Sequence, residues 1–272
     1  MIAEFQLPSN PKVTVKLREA TVAEAIDFSA VDPRAEETAT TFFLNTVQEE
    51  PAVDAGLWTG EDRRFALFQY HLNTTQERTM PVTFTCPRCG GTHTVDVSLS
   101  QIMAGYRPMQ GEPFREVVLD GHNVRVMPPN GRGLELLERY RFDLEATQNM
   151  PVSNLSPSQA LERENEIRKK IVRNKFLRLL ISIDVPSFQG STPEERRPQV
   201  EELIKRLPAG MFQDFVTSVG DALADMRHGL ATEWDDGELL MVFSGVHCPD
   251  EPTGEPFPLR FQFRAFSFIP TV

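Results

Sequence analysis

The stretch that most constrains this chain is Pro81 to Ile102, PVTFTCPRCGGTHTVDVSLSQI. A short β-prone run, Val82 to Thr85, leads into Cys86-Pro87-Arg88-Cys89-Gly90. A second, His93 to Leu99, leads out with Val95, Val97 and Leu99 at period two. Two strands joined by C-x-x-C-G make a knuckle at the tip of a hairpin. Amides near Cys89 must fold back towards the sulfurs, and Gly90 and Gly91 can take positive φ there without a Cβ clash. Zinc takes four tetrahedral ligands, usually cysteine and histidine, so one C-x-x-C supplies half a site.

The remaining cysteine, Cys248, lies far downstream in Val246-His247-Cys248-Pro249-Asp250-Glu251, between β-prone runs Glu238–Val246 and Pro256–Phe268. Laid over the first knuckle, Cys248-Pro249 matches Cys86-Pro87, and Glu251 falls where Cys89 stood. The ligand set read from this pattern is Cys86, Cys89, Cys248 and one histidine: His247 beside Cys248, with His93, four residues after Cys89, as the alternative. Glu251 is a third candidate, because carboxylates also bind zinc. The competing reading is a metal-free turn with two free thiols and an unrelated buried Cys248. With every ligand position filled by protein, the site would be structural, since catalytic zinc keeps one position open for water.

With 272 residues the chain can bury a substantial core, and 40% hydrophobic with 25% charged residues is the balance of a soluble globular protein. No apolar run reaches the length of a membrane span. The opening MIAEFQLPSN lacks a basic region followed by an apolar core, so the chain is expected to stay in the compartment where it is made. Two of three cysteines in C-x-x-C point to metal in a reducing compartment rather than a disulfide framework. A net charge of −11 weighs against an extended phosphate-binding surface.

Along the chain, Ile2–Leu7 and Lys12–Leu17 read as strands around the turn Pro8-Ser9-Asn10-Pro11, with Val13, Val15 and Leu17 on one face. Thr21-Val22-Ala23-Glu24 is a capping box that opens a helix to about Ala30. A second helix spans Pro33 to Gln48 despite its β-prone Thr41-Phe42-Phe43-Leu44. A third starts at Thr59-Gly60-Glu61-Asp62; its Asp62-Arg63-Arg64 run could offer a binding surface, but the surrounding apolar residues favour core packing. Asp120-Gly121-His122 closes a β-hairpin, with His122 a solvated tip residue. Helices follow over Gly133–Ala146, Ser158–Ile183, Thr192–Leu207 and Met211–Arg227. The basic residues of the Ser158–Ile183 helix have glutamates one turn away, which pairs much of that charge. The last strand, Leu259 to Arg264, alternates until the phase slips at Ala265-Phe266, and a bulge there would keep Phe266 and Phe268 facing inward.

The expected fold class is α+β, with zinc-ribbon-like β-hairpins joining N- and C-terminal parts around an inserted helical block. Residues 1–80 form an N-terminal β-pair with helices, and 81–130 the knuckle hairpin and a second hairpin. Residues 131–232 form the helical domain, and 233–272 a C-terminal knuckle hairpin packing back on 81–102. No phosphate loop, dinucleotide fingerprint, G-x-S-x-G elbow or H-E-x-x-H helix occurs, the five histidines are scattered, and Asp225 and Asp235-Asp236 read as solvated acids. The expectation is no enzyme, no catalytic residues and no small-molecule substrate.

The order of elements resembles the T-even-type phage baseplate family, which is associated with hub and tail assembly in contractile-tailed phages. The matching features are the N-terminal β-pair and helices, Gly60-Glu61-Asp62-Arg63-Arg64, the Thr85-Cys86-Pro87-Arg88-Cys89 knuckle and the Val95-Asp96-Val97-Ser98-Leu99 strand. A long helical segment and a late cysteine turn before a Phe-rich strand complete the layout, and Glu251 departs from a two-knuckle pattern. The resemblance implies a non-enzymatic virion component that docks on other tail and baseplate proteins. It also implies assembly in the host cytoplasm, with the helical insert and Phe-rich edge facing neighbouring subunits. A tail assembly chaperone absent from the virion is one alternative. A zinc-ribbon module binding nucleic acid or a transcription complex is another, and only Arg88 lies close to Cys86 to support it.

Overall fold

A computed structural model of the chain describes residues 2–151, 156–235 and 238–270, and Asp236 lies outside them. Strands β1 (Phe5–Leu7) and β2 (Asn10–Val15) pair antiparallel, and Val15 and Leu17 turn into the core as their alternation requires. Helix α1 (Val22–Ser29) carries the expected capping box: the Glu24 amide donates to Thr21 Oγ1, and the Thr21 amide donates to Glu24 Oε2 at 2.7 Å. Hydrogen bonds from Arg18 at 2.7 and 2.9 Å, aided by the Thr21 amide, hold the Glu24 carboxyl down at about 2. Helix α2 (Glu36–Val47) keeps the β-prone Thr-Phe-Phe-Leu helical, because that places Phe43, Leu44 and Val47 in the core with no exposure. Packing there outweighs a propensity difference of well under 1 kcal/mol per residue.

Helix α3 (Gly60–Thr74) is buried nearly all round, from Phe65 to Phe68 and again at Tyr70. Its Asp62-Arg63-Arg64 run is also inside. Glu37 accepts from Arg63 at 2.9 Å and from Arg64 at 3.0 Å, and Thr41 Oγ1 accepts from Arg63 at 2.8 Å. Asp62 accepts the Ser9 amide at 2.8 Å and the Ser9 hydroxyl, while His228 Nε2 lies 3.8 Å from it. The run is therefore core, as the flanking apolar residues imply, and it is an ionic core. Buried charge is tolerated because each group meets an opposite or hydrogen-bonding partner.

The knuckle hairpin follows as β3 (Thr79–Thr85) and β4 (Thr92–Ser98), in register from Thr79↔Ser98 to Thr85↔Thr92. Leu99 does not continue the strand. It opens a short helix, α4 (Leu99–Ala104), whose buried Leu99 and Ile102 have helical spacing. Strands β5 (Arg115–Leu119) and β6 (His122–Val126) form the second hairpin, with Asp120 at φ 48° and Gly121 at φ 78° in its two-residue turn. Positive φ at both positions matches the strand twist.

Helices α5 (Gly131–Gln148) and α6 (Pro157–Leu180) come next; Asn130 caps the first and a Ser156/Gln159 capping box opens the second. The sequence places Ile183 in α6, but the helix ends at Leu180 and Ile183–Asp184 form a two-residue strand, β7, beside β6. Helices α7 (Pro193–Lys205) and α8 (Ala209–Asp225) then lead to β8 (Thr232–Asp235), β9 (Glu238–Val246) and β10 (Phe257–Gln262). These three strands form an antiparallel sheet with β9 central. The slip near Ala265 is not a bulge. Strand β10 ends at Gln262, a 3₁₀ turn spans Ala265–Ser267, and Phe268 folds back to stack on Phe263 with centroids 4.7 Å apart.

The fold is α+β, built from small antiparallel sheets and helices. Two compact units divide it. One comprises Met1–Ala55, Glu61–Gln110 and His228–Val272, and the other Gly56–Gly60 and Gly111–Arg227. The first is centred on α3, where Phe28, Phe43, Phe68, Leu99 and Met241 are almost fully buried; each such side chain contributes about 1.5–3 kcal/mol. The second packs α8 against β5 and β6, and α7 against β7. Among the described residues no helix is long and apolar enough to cross a membrane.

Candidate metal centre

Strand alternation sets the site up. In β3, Met80, Val82 and Phe84 share the inward face, and Cys86 continues it just past the strand end, 1% exposed. In β4, Val97, Val95 and His93 share the facing side, and His93 pairs with Phe84 in register. Cys86 and Gly91 close the tip: the Cys86 amide donates to Gly91 O at 2.8 Å, and the Gly90 amide donates to Cys86 O at 3.0 Å. Gly90 takes φ 71°, where a side chain would be strained.

The second turn arrives from the C-terminal sheet of the same unit. The Glu251 amide donates to Cys248 O at 3.0 Å, and Cys248 is 1% exposed. Phe84 packs on the His93 ring at 6.0 Å and on Phe257 at 5.8 Å, bringing β3 and β10 together.

Cys86, Cys89, His93 and Cys248 converge, with one donor atom from each lying within 4.8 Å of all the others. Cys89 Sγ is 3.7 Å from Cys248 Sγ and 3.1 Å from His93 Nε2. Tetrahedral bonds of about 2.3 Å to sulfur and 2.0 Å to nitrogen place neighbouring donors roughly 3.5–3.8 Å apart, so the cluster fits a four-coordinate ion. Of the two histidines read from the sequence, the structure brings in the alternative, His93. His247 is exposed, its Nδ1 lies 2.9 Å from Gly254 O, and it is outside the cluster, as is the exposed Glu251. Adjacent residues in extended chain point to opposite sides, so a histidine next to Cys248 faces away when Cys248 faces in. The sequence did carry a signal for His93: it shares the period-two face of Val95 and Val97, opposite Phe84 and Cys86.

The electrostatics suit a cation. Burial opposes ionisation of Cys86, but the Cys89 and Arg88 amides and the neighbouring thiols hold its thiol below the ordinary value. The Gly91 amide, 3.4 Å from Cys89 Sγ, favours a thiolate there, yet desolvation and the Cys248 and Cys86 thiols push Cys89 up to about 11. Thiolates held this close repel one another, and a bound cation would offset that repulsion.

A Cβ at Gly91 would sit 3.3 Å from both Cys89 Sγ and His93 Nε2. Gly91→Ala is therefore expected to weaken metal binding about tenfold, the scale for disturbing groups that orient ligands, while the hairpin still forms. Competition against a chromogenic chelator measures this, and an unchanged affinity would show that Gly91 leaves room beside the donors.

Residues 1–130 match the family model described as T4 bacteriophage base plate protein. Over that segment the chain is similar to this phage baseplate family. The match runs from the N-terminal β-pair through the knuckle and the β5–β6 hairpin. It contains Cys86, Cys89 and His93, whereas Cys248 lies beyond it. No curated protein and no solved structure matches the chain.

Proposed function

We propose that the chain is a non-enzymatic structural component of a contractile phage tail baseplate, acting by docking on other tail and baseplate proteins. The observation that carries this reading is the baseplate family match over residues 1–130. A zinc ion held by Cys86, Cys89, Cys248 and His93 ties the middle of the chain to its C-terminal sheet. The four donors are all supplied by protein, a closed set whose role is structural. The chain assembles in the host cytoplasm and resides in the virion tail. The C-terminal knuckle hairpin packs on 81–102 within one compact unit, and the second hairpin belongs with the helical block in the other.

A nucleic-acid role has less support. The net charge is −11, and two of the cations of α6 are engaged with carboxylates: Lys170 lies 2.9 Å from Asp143 and 3.2 Å from Glu166, and Arg173 pairs with Glu201. Quantitative mass spectrometry of purified virions against infected-cell lysate tests the assignment. Retention at a fixed low ratio to the tail-tube protein is the expected result. Abundance in lysate with absence from particles would make the chain an assembly chaperone instead.

A further inference from the structure

The four donors are unequal in access. Cys86 and Cys248 are each 1% exposed, while Cys89 is exposed at the knuckle tip with its sulfur 3.7 Å from Cys248 Sγ. These two residues stand 159 apart in sequence and on different hairpins. Cys86, whose sulfur lies within 4.8 Å of both, begins the turn closed by the Cys86–Gly91 and Gly90–Cys86 backbone bonds and is the less accessible of the two knuckle thiols.

We propose that Cys89 is an oxidation site, and that its oxidation replaces the metal staple with a Cys89–Cys248 disulfide, leaving Cys86 as a sheltered thiol. The loaded-centre form of this step rests on the zinc reading above; the choice of sulfur pair rests on geometry alone. With a peroxide as oxidant, the metal-bound Cys89 thiolate attacks one peroxide oxygen. The O–O bond breaks, hydroxide leaves, and Cys89 becomes a sulfenic acid. The Cys248 thiolate then attacks the Cys89 sulfur, the S–O bond breaks and a second hydroxide leaves. Two thiolates give up two electrons, the peroxide is reduced to two waters once buffer protons are taken up, and the ion departs for lack of ligands. Cross-chain connection survives in covalent form. That outcome suits a part built in a reducing compartment and carried into an oxidising one.

The test uses the purified full chain loaded with zinc and treated with hydrogen peroxide. Ion release is followed with 4-(2-pyridylazo)resorcinol, and remaining thiols are then alkylated. Trypsin cuts after Arg88 and so separates Cys86 from Cys89. The expected product is a dithiothreitol-sensitive link between the peptide that begins at Cys89 and the peptide that holds Cys248, with Cys86 alkylated and stoichiometric zinc release. The same link should make the unreduced chain run faster on a gel, and Cys248→Ser should abolish it. A Cys86–Cys89 or Cys86–Cys248 link would overturn the proposal, as would sulfinic acid at Cys89 with no link, or no reaction. If the chain takes up no zinc, the zinc reading fails by itself. The digest of the peroxide-treated metal-free chain then still decides the pairing.

Discussion

If zinc fills the cluster as proposed, stripping it from the purified chain is expected to lower the thermal midpoint by about 10 °C, and added zinc to restore it. The magnitude follows from linkage: an ion bound a thousandfold above its Kd stabilises the folded state by about 4 kcal/mol, and in a chain of this size each kcal/mol moves the midpoint by roughly 2–4 °C. The loss should be local before it is global. Cys248 and its turn reach the first hairpin through the donor cluster, the Phe84–Phe257 contact and an Arg88–Glu255 pair at 3.9 Å. Amide hydrogen exchange should therefore rise first around 86–93 and 246–257, while α3 stays protected. His93→Ala should reproduce most of the effect. His247→Ala should leave zinc affinity within about twofold, because a rim residue away from the ion lacks the tenfold or greater influence of groups that hold its ligands. A midpoint indifferent to chelation, or a stronger effect from His247→Ala than from His93→Ala, would refute this ligand set.

Replacing Asp184 by asparagine is expected to destabilise the second unit by about 3–5 kcal/mol, the usual loss when one member of a buried ion pair is removed. Asp184 on β7 accepts from Arg196 Nε at 2.7 Å and Nη2 at 2.6 Å, and Arg196 Nη1 donates to Gly190 O at 2.7 Å. The side chains are only 5% and 11% exposed. Asp184→Asn keeps the shape but leaves the guanidinium charge without its carboxylate. Gly190, whose carbonyl shares the load, takes φ 136°, a backbone conformation that favours glycine. Urea denaturation reads the loss as a lower midpoint at constant slope. Asp184→Leu with Arg196→Met should recover most of it, because removing both charges also removes their desolvation. An Asp184→Asn variant within about 0.5 kcal/mol of the parent, the range of ordinary surface changes, would mean the pair is not structural.

Much of this molecule is legible from short-range pattern. The Thr21/Glu24 box, the Ser156-Pro157 start, the Asp120-Gly121 hairpin and the C-x-x-C-G knuckle each rest on bonds within a few residues, so the local chain dictates them. Strand β7 escapes such reading, because two residues carry no period and Ile183 continues the apolar series of α6. Its strand character comes from pairing with β6. Helix α4 escapes for a related reason: Leu99 satisfies both the period-two series of β4 and the helical spacing to Ile102. The close of β10 is decided by Phe263 and Phe268 stacking in the core rather than by their alternation.

The sequence by itself determined that a C-x-x-C turn stands at Cys86 and Cys89 and that Cys248 sits on a comparable turn, since both facts are written in residue type and spacing. It also narrowed the histidine to two positions. Only the tertiary structure shows that His93, and not His247, lies beside the three sulfurs. Which way a ring points depends on the pleat phase of its strand and on what lies opposite, and both are properties of the paired sheet. For Asp62-Arg63-Arg64 the flanking apolar residues already favour core packing, but only the tertiary structure supplies the partners, Glu37, Thr41 and Ser9, that satisfy its charges.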